Sequence, residues 1–158
     1  MNSTCAVALR SLSAADLREA NAVIGQAVLA WPLPERIRQL SVPLLQYDDV
    51  DASHFQMIGA FLEGRDDLPG GLAGVAVWDE NSVHGLYVHP LAQRAGIGRC
   101  LLAAIAGRAR RSGIERLLIK AQRVSAPYFE HLGLADARSV SAYPNAYLFD
   151  TRLPLSPR

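Results

Sequence analysis

The segment at residues 86–99 constrains the fold more than any other part of the sequence. It contains, in order, the end of an apolar strand, a turn at His89-Pro90, a loop with two glycines and the start of a helix. Glycines at the mouth of a helix expose successive backbone N–H groups, and the helix dipole adds partial positive charge there. The segment therefore predicts a site for a phosphate or pyrophosphate group between a strand and a helix.

The glycine pattern separates three kinds of phosphate-binding loop. A Walker loop needs Gly-Lys-Ser/Thr, which the sequence lacks. A Rossmann fingerprint needs a third glycine, but Gly96-Ile97-Gly98 continues as Arg99-Cys100-Leu101. Residues 93–98 (QRAGIG) instead resemble the Q/R-x-x-G-x-G/A pattern of the GNAT superfamily of acetyl-CoA-dependent acyltransferases.

Two further stretches resemble the same family. Residues 86–90 (LYVHP) are similar to the strand that precedes the family's pyrophosphate loop, and residues 128–134 (YFEHLGL) are similar to its aromatic-rich helix. The motif-level resemblance covers residues 82–134. Over the rest of the chain, the resemblance consists of the order of the elements.

Apolar periodicity predicts one mixed α/β (α+β) domain over residues 1–153, in the order βααβββαβαβ, with a loose tail at 154–158. Short turns between the middle strands favour antiparallel neighbours. The resemblance implies a GNAT-like fold, in which a mostly antiparallel sheet is flanked by helices. The predicted strands lie at 5–12, 54–62, 72–78, 82–88, 116–121 and about 146–153, and the predicted helices at 14–29, 35–45, 97–112 and 127–132; Asp48, Asp49 and Asp51 are assigned to an acidic loop.

Composition indicates a globular protein without a nucleic-acid or membrane partner. The chain has 158 residues, half of them hydrophobic, and a formal net charge of +1. No apolar run approaches the ~20 residues that span a bilayer, and the N-terminus does not read as a signal peptide, so we expect a cytoplasmic location. Cys5 and Cys100 form no disulfide framework, and Cys100 is interpreted as a packed helix residue.

The resemblance implies roles for the residues around the loop. Backbone N–H groups of the loop would hold the pyrophosphate of coenzyme A, and Arg99 would reach a phosphate from the first turn of the helix. Leu86 and Val88 would pair with the pantetheine arm, with Tyr87 in the same strand, and the Val88 N–H would polarise the thioester carbonyl. The predicted cofactor-binding residues are Leu86, Tyr87, Val88, Gln93, Arg94, Ala95, Gly96, Ile97, Gly98 and Arg99.

Transfer of an acyl group to an amine requires the neutral amine. A lysine-like amine has a pKa near ~10.4, so about one molecule in a thousand is reactive at neutral pH, and a base helps. In some branches of the family a glutamate four residues before the strand valine has this role, and here that position is His84. A histidine suits the task. The alternative interpretation is a polar side chain on a half-buried strand, and Glu80 is the next candidate base.

The general acid departs from the family pattern. The family has a tyrosine at the second aromatic position of its last helix, where this chain has Phe129. Tyr128 precedes it, but neighbours on a helix point about 100° apart. Tyr128 is the predicted acid if the helix is shifted, and a core aromatic if it is not. The alternatives are Tyr87, Tyr143, Tyr147 or water.

These patterns predict an acetyl-CoA-dependent N-acetyltransferase that acts on a small-molecule or peptide amine by direct transfer in a ternary complex. The alternative is a weak or inactive acyl-CoA sensor of the same fold. His54 and His131 show no ligand spacing, so no metal is expected. A homodimer is an alternative to a monomer. The acceptor site is expected to involve residues 31–51 and the C-terminal strands.

Overall fold

A computed structural model describes residues 7–137 and 145–155. The described residues form a single seven-stranded sheet, in the spatial order β1-β2-β3-β4-β5-β7-β6. Every neighbouring pair of strands in it is antiparallel except β4 and β5, which are parallel. The strands are β1 (Val7–Leu12), β2 (Gln56–Leu62), β3 (Leu72–Trp78), β4 (Ser82–Val88), β5 (Arg116–Lys120), β6 (Ala135–Asp136) and β7 (Ala146–Asp150).

Within the described ranges, five α-helices accompany the sheet: α1 (Leu17–Leu29), α2 (Glu35–Leu45), α3 (Asp49–His54), α4 (Ile97–Arg111) and α5 (Ala126–His131). Helix α4 ends where Gly113 adopts a left-handed φ of 79°, which is the usual conformation just past a helix end. None of the helices in the described ranges is both long and apolar enough to cross a bilayer.

Helices α1 and α4 cover opposite faces of the sheet. Successive side chains of a strand point to opposite faces, and β3 shows both environments. Val75 and Val77 pack in one buried cluster with α1, whereas Ala76 and Trp78 pack in another with α4. Strand β3 is buried along its whole length, so it forms the centre of a three-layer core.

A close approach between β3 and α4 depends on Gly74. A Cβ atom at this position would lie 2.6 Å from the Ile97 side chain and 3.0 Å from that of Leu101. These distances are shorter than van der Waals contact, so a larger residue would push α4 away from the sheet. Gly74 therefore fixes the position of the first turn of α4, just after the glycine-containing loop.

The structure confirms the mixed α/β class and the predicted spans of β3 and β4. The predicted order βααβββαβαβ does not include two short elements of the structure, helix α3 and strand β6. Residues 49–54 form helix α3 rather than part of an acidic loop, because Asp48 and Asp51 make a reciprocal capping box at 2.9 Å in each direction. Strand β6 is only two residues long and pairs with β7. The predicted strand at 54–62 begins at Gln56.

Candidate active site

Strands β4 and β5 separate along their length and leave an opening in the sheet. They pair only at Ser82 with Leu118 and at Val83 with Ile119. Residues 84–88 of β4 extend beyond the last pair, while β5 ends at Lys120 and stays paired with β7. One edge of the second half of β4 is therefore open, in the middle of the sheet.

A cleft that is open to solvent lies at this separation. Strand β4 contributes one wall and the end of β5 the other, with Trp31 from the segment after α1 and Phe129 from α5. The lining residues are Trp31, Val83, His84, Gly85, Leu86, Tyr87, Ile119, Lys120, Ala121, Gln122, Ser125 and Phe129. Three of the predicted site residues, His84, Leu86 and Tyr87, lie in this wall.

The backbone of Leu86 and Val88 faces the opening. The His89 N–H donates to the Ala73 carbonyl at 2.8 Å, so the backbone of His89 faces β3. Alternate residues of a strand direct their backbone groups to opposite edges. The backbone N–H and C=O groups of Tyr87 are therefore directed towards β3, and those of Leu86 and Val88 are directed towards the opening between β4 and β5.

The loop after β4 arranges backbone N–H groups at the start of α4. Arg94 and Gly96 have left-handed φ values of 67° and 75°. The first intrahelical bond runs from the Cys100 N–H to the Gly96 carbonyl at 3.0 Å. The N–H groups of Ile97, Gly98 and Arg99 thus have no acceptor within the helix. They form the electropositive end of a 15-residue helix.

The Gln93 side chain connects the loop to the open edge of β4. Its side-chain amide donates to the Val88 carbonyl at 3.2 Å. His89, which is buried, stabilises the intervening turn because its Nδ1 accepts a hydrogen bond from the Leu91 N–H at 3.1 Å. Burial also lowers the pKa of His89, which favours the neutral ring that this bond requires. His89 is thus a turn residue.

Tyr128 lies at the loop and not in the lining of the cleft. A Cβ atom at Gly98 would stand 2.5 Å from the Tyr128 hydroxyl oxygen and 3.7 Å from Leu86 Cδ2. The hydroxyl is therefore packed on the first turn of α4. Burial raises the pKa of Tyr128, and the nearby Arg99 acts in the opposite direction.

Phe129, the next residue of α5, points into the cleft. Its side chain is buried, and its ring lies 5.4 Å from the Tyr128 ring and 5.8 Å from the Tyr147 ring, centroid to centroid. The Tyr147 hydroxyl donates to Glu130 Oε2 at 3.0 Å. Tyr143, another alternative acid, lies outside the described residues.

The tyrosine on β4 is held by a second tyrosine. Tyr87 is buried in a cluster with Ile24, Ala27 and Val28, and the hydroxyl groups of Tyr87 and Tyr47 hydrogen-bond to each other. Burial raises the pKa of Tyr47 to about 12, and Asp51 adds to the effect. The Tyr47 hydroxyl is therefore neutral at physiological pH.

His84 contacts a carboxylate that the sequence did not single out. Its Nε2 lies 2.9 Å from Asp79 Oδ2, and its ring packs against Phe55 at a tilt of 51°, with centroids 4.8 Å apart. Asp79 Oδ1 accepts the backbone N–H groups of Asn81 at 2.8 Å and Ser82 at 2.9 Å.

Asp79 is held ionised by these bonds. Burial opposes the charge, but the N–H of Asn81, the His84 ring and the N–H of Ser82 together outweigh it, so the pKa of Asp79 is lowered. The predicted alternative base, Glu80, is exposed. Its neighbour Asp79 makes the contact with His84.

A family model described as an acetyltransferase (GNAT) domain matches residues 49–142, more than half of the chain. The chain belongs to the GNAT acetyltransferase family. The matched range holds β4, the loop, α4 and the aromatic residues of α5. This confirms the family suggested by the motifs, and it is a family of acyltransferases. No curated protein sequence matches the chain.

Solved GNAT structures share the fold over nearly the whole chain. A GCN5-related N-acetyltransferase from Rhodopseudomonas palustris has a TM-score of 0.71 at 18% identity, with 94% of this chain and 96% of that one covered. PaiA N-acetyltransferase from Thermoplasma acidophilum, in complex with coenzyme A, has a TM-score of 0.68 at 15% identity, with 90% and 96% covered. YncA from Salmonella typhimurium, with its cofactor acetyl-CoA, has a TM-score of 0.53 at 19% identity, with 96% and 98% covered.

The predicted site residues thus form two adjacent groups on the GNAT fold. His84, Leu86 and Tyr87 line the cleft, and Gln93 to Arg99 form the loop at its end, with Val88 between the two groups. Tyr128 contacts the second group only. Within residues 7–137 and 145–155, no three His, Cys, Asp or Glu side chains are grouped so that they would hold a metal ion.

Proposed function

We propose that the chain is an acetyl-CoA-dependent N-acetyltransferase that transfers the acetyl group directly to an amine in a ternary complex. The observation that carries this proposal is that two parts of the site are adjacent. The open edge of β4 lies beside the loop of backbone donors at the N-terminus of α4, since the Gln93 amide donates to the Val88 carbonyl and a Cβ atom at Gly98 would lie 3.7 Å from Leu86 Cδ2. An extended arm with an anionic group at one end matches that shape.

The residues present fit coenzyme A. The N–H groups of Ile97, Gly98 and Arg99 would bind the pyrophosphate, because they lack acceptors within the helix. Leu86 and Val88 would pair with the amides of the pantetheine arm across the open edge. Acetyl-CoA supplies the acetyl group as a thioester. The Val88 N–H would donate to its carbonyl oxygen, an interaction that strengthens as negative charge develops there.

His84 is the proposed general base. It lines the same cleft as Leu86, and its ring is held between Asp79 and Phe55. An amine in the cleft would transfer a proton to His84 as its nitrogen attacks the thioester. The products are the amide and the thiol of coenzyme A.

Water is the proposed source of the proton for the departing thiolate. Phe129 faces the cleft at the position of the usual tyrosine, and the Tyr128 hydroxyl lies against Gly98 instead. Phe129 also supports a second candidate function, an acyl-CoA-binding module with weak or no turnover.

A turnover assay separates the two functions. Purified protein is mixed with acetyl-CoA and a panel of small-molecule and peptide amines, and thiol release is followed together with the mass of the product. Alcohols matched to the amines serve as controls. Amine-dependent thiol release with an amide product supports the N-acetyltransferase. Binding of acetyl-CoA without release in the presence of any amine would support the binding module.

Initial rates test direct transfer. Varying acetyl-CoA at several concentrations of an active amine should give intersecting double-reciprocal lines, as a ternary complex requires. Parallel lines, together with an acetylated protein after incubation without amine, would indicate a covalent intermediate instead.

A further inference from the structure

The contact between Asp79 and His84 links the turn before β4 to the wall of the cleft. Asp79 Oδ2 lies 2.9 Å from His84 Nε2, while its other oxygen accepts two backbone N–H groups of the same turn. The carboxylate is thus fixed by the backbone and faces one nitrogen of the ring. An ionised carboxylate only accepts hydrogen bonds.

We propose that Asp79 is a positioning residue, which keeps the proton of the neutral His84 ring on Nε2 and leaves Nδ1 to accept the proton of the acceptor amine. The proposal rests on the proposed function, because it assigns the basic atom of the same site. A histidine whose one nitrogen donates to a carboxylate presents the lone pair of the other nitrogen. The contact with the Phe55 ring restricts the imidazole further.

Among the described residues, the other titratable groups near the ring do not hydrogen-bond to Nε2. Lys120 of β5 lines the same cleft. Tyr47, from the segment before α3, is hydrogen-bonded to Tyr87, and the negative charge of Asp51 raises the pKa of Tyr47. Asp79 is the group within hydrogen-bond distance of Nε2.

The substitution Asp79→Asn reverses the hydrogen bond with almost no change in shape. The two N–H groups of Asn81 and Ser82 require an acceptor at Oδ1, so the asparagine would place its oxygen there. Its NH₂ group would then face His84 Nε2 as a donor. The ring would respond by moving its proton to Nδ1, which removes the proposed basic lone pair.

Nuclear magnetic resonance of the histidine ring nitrogens tests this directly. His84 is assigned by the loss of its resonance in His84→Ala, and His89 is an internal reference, since its Nδ1 accepts from Leu91. In the wild-type protein at a pH where the rings are neutral, we expect His84 to carry its proton on Nε2, and in Asp79→Asn on Nδ1. A wild-type ring protonated on Nδ1, or identical spectra in both proteins, would overturn the proposal.

Kinetics provide a second readout. We expect Asp79→Asn to lower kcat/KM at neutral pH by about 10²-fold or more, with unchanged affinity for acetyl-CoA. Asp150→Asn is the matched control, because Asp150 also accepts hydrogen bonds from a backbone N–H and from a basic side chain, both of Arg152.

The two proposals fail in different ways. If the wild-type protein shows no turnover, the proposed function fails, while the nitrogen spectra still report on Asp79. If turnover is present and Asp79→Asn changes thermal stability but neither the spectra nor kcat/KM, Asp79 has only a structural role and the inference is wrong.

Discussion

The hydroxyl group of Tyr128 lies against Gly98, so closely that a Cβ atom at position 98 would stand 2.5 Å from its oxygen. This contact places the tyrosine of α5 on the first turn of α4, where the proposed phosphate site begins. Phe129, one position on, is the aromatic residue that faces the cleft. Because Phe129 lines the cleft and Tyr128 does not, we expect Tyr128 not to reach the reacting sulfur.

Tyr128→Phe should change kcat by less than about threefold, well below the ~10²-fold that follows loss of a general acid. The reason is the position of the hydroxyl, which lies at the loop. Steady-state kinetics with saturating acetyl-CoA measure the effect. A large loss of kcat with unchanged affinity for acetyl-CoA would show that Tyr128 is the acid after all.

Gly98→Ala should weaken the binding of acetyl-CoA by about tenfold or more, because the added methyl group displaces Tyr128 and shifts the first turn of α4. Gly107→Ala is the matched control in the same helix. At Gly107 a Cβ atom would meet only the Arg111 guanidinium, at 3.5 Å. The control should keep its affinity and gain roughly 0.5–1 kcal/mol of stability. Equal affinities in the two variants, measured by calorimetry, would contradict the assignment of the loop.

His84→Ala should lower kcat/KM at neutral pH by about 10²-fold or more, the usual scale of general base catalysis. The loss should shrink at high pH, where the amine deprotonates without help. His54→Ala, at the exposed end of α3, should behave like the wild type. A pH–rate profile for His84→Ala with the same shape and height as that of the wild type would leave His84 only a structural role.

Much of the fold was predictable because local and tertiary preferences agree. Sequence patterns predict the apolar strands β3 and β4 and the glycine-containing start of α4, and these elements lie at the predicted positions in the structure. Helix α3 was missed because the aspartates at positions 48, 49 and 51 suggested a loop, although Asp48 and Asp51 have the spacing of a capping box. Strand β6 has two residues, too few for a periodic pattern.

The site was less predictable because it depends on strand register. His84 was identified by its distance from Val88, but nothing in the sequence distinguishes Asp79 from Glu80 as its partner. The pairing of β3 with β4 shifts between Val77 and Trp78, and the turn that follows directs Asp79 towards the ring. The orientation of Tyr128 likewise results from the packing of α5 on α4.

The free energy of unfolding should fall above pH 10 because of Tyr47. Its pKa is about 12 in the folded protein and 10.0 ordinarily. Below pH 10 the hydroxyl is neutral in both states, so the stabilisation is fully present there. At higher pH the unfolded chain loses this proton while the folded protein keeps it, and stability declines until the folded group also ionises.

Urea unfolding near pH 9 and near pH 11 measures this effect. Over that interval the wild type should lose about 1.4 kcal/mol more than Tyr47→Phe, which has no proton to lose at this position. Equal losses in the two proteins would mean that Tyr47 is not desolvated by its surroundings.

The loop at Gly96 is the proposed binding site for the pyrophosphate of acetyl-CoA. Gly96 has a φ of 75°, and a Cβ atom added there would have no neighbouring atom within 4 Å. Gly64, in the turn after β2, has a φ of 71° and the same open surroundings. Alanine at either position should cost about 1–2 kcal/mol of stability through backbone strain. Only Gly96→Ala also changes the direction of the N–H groups in the loop.

Calorimetric titration with acetyl-CoA of the wild type, Gly96→Ala and Gly64→Ala tests whether the loop at Gly96 binds acetyl-CoA. We expect one-to-one binding by the wild type and by Gly64→Ala, and a loss of affinity of at least about tenfold in Gly96→Ala, since the backbone donors no longer converge on the pyrophosphate. No binding by the wild type, or the same affinity in all three proteins, would contradict the assignment of the site.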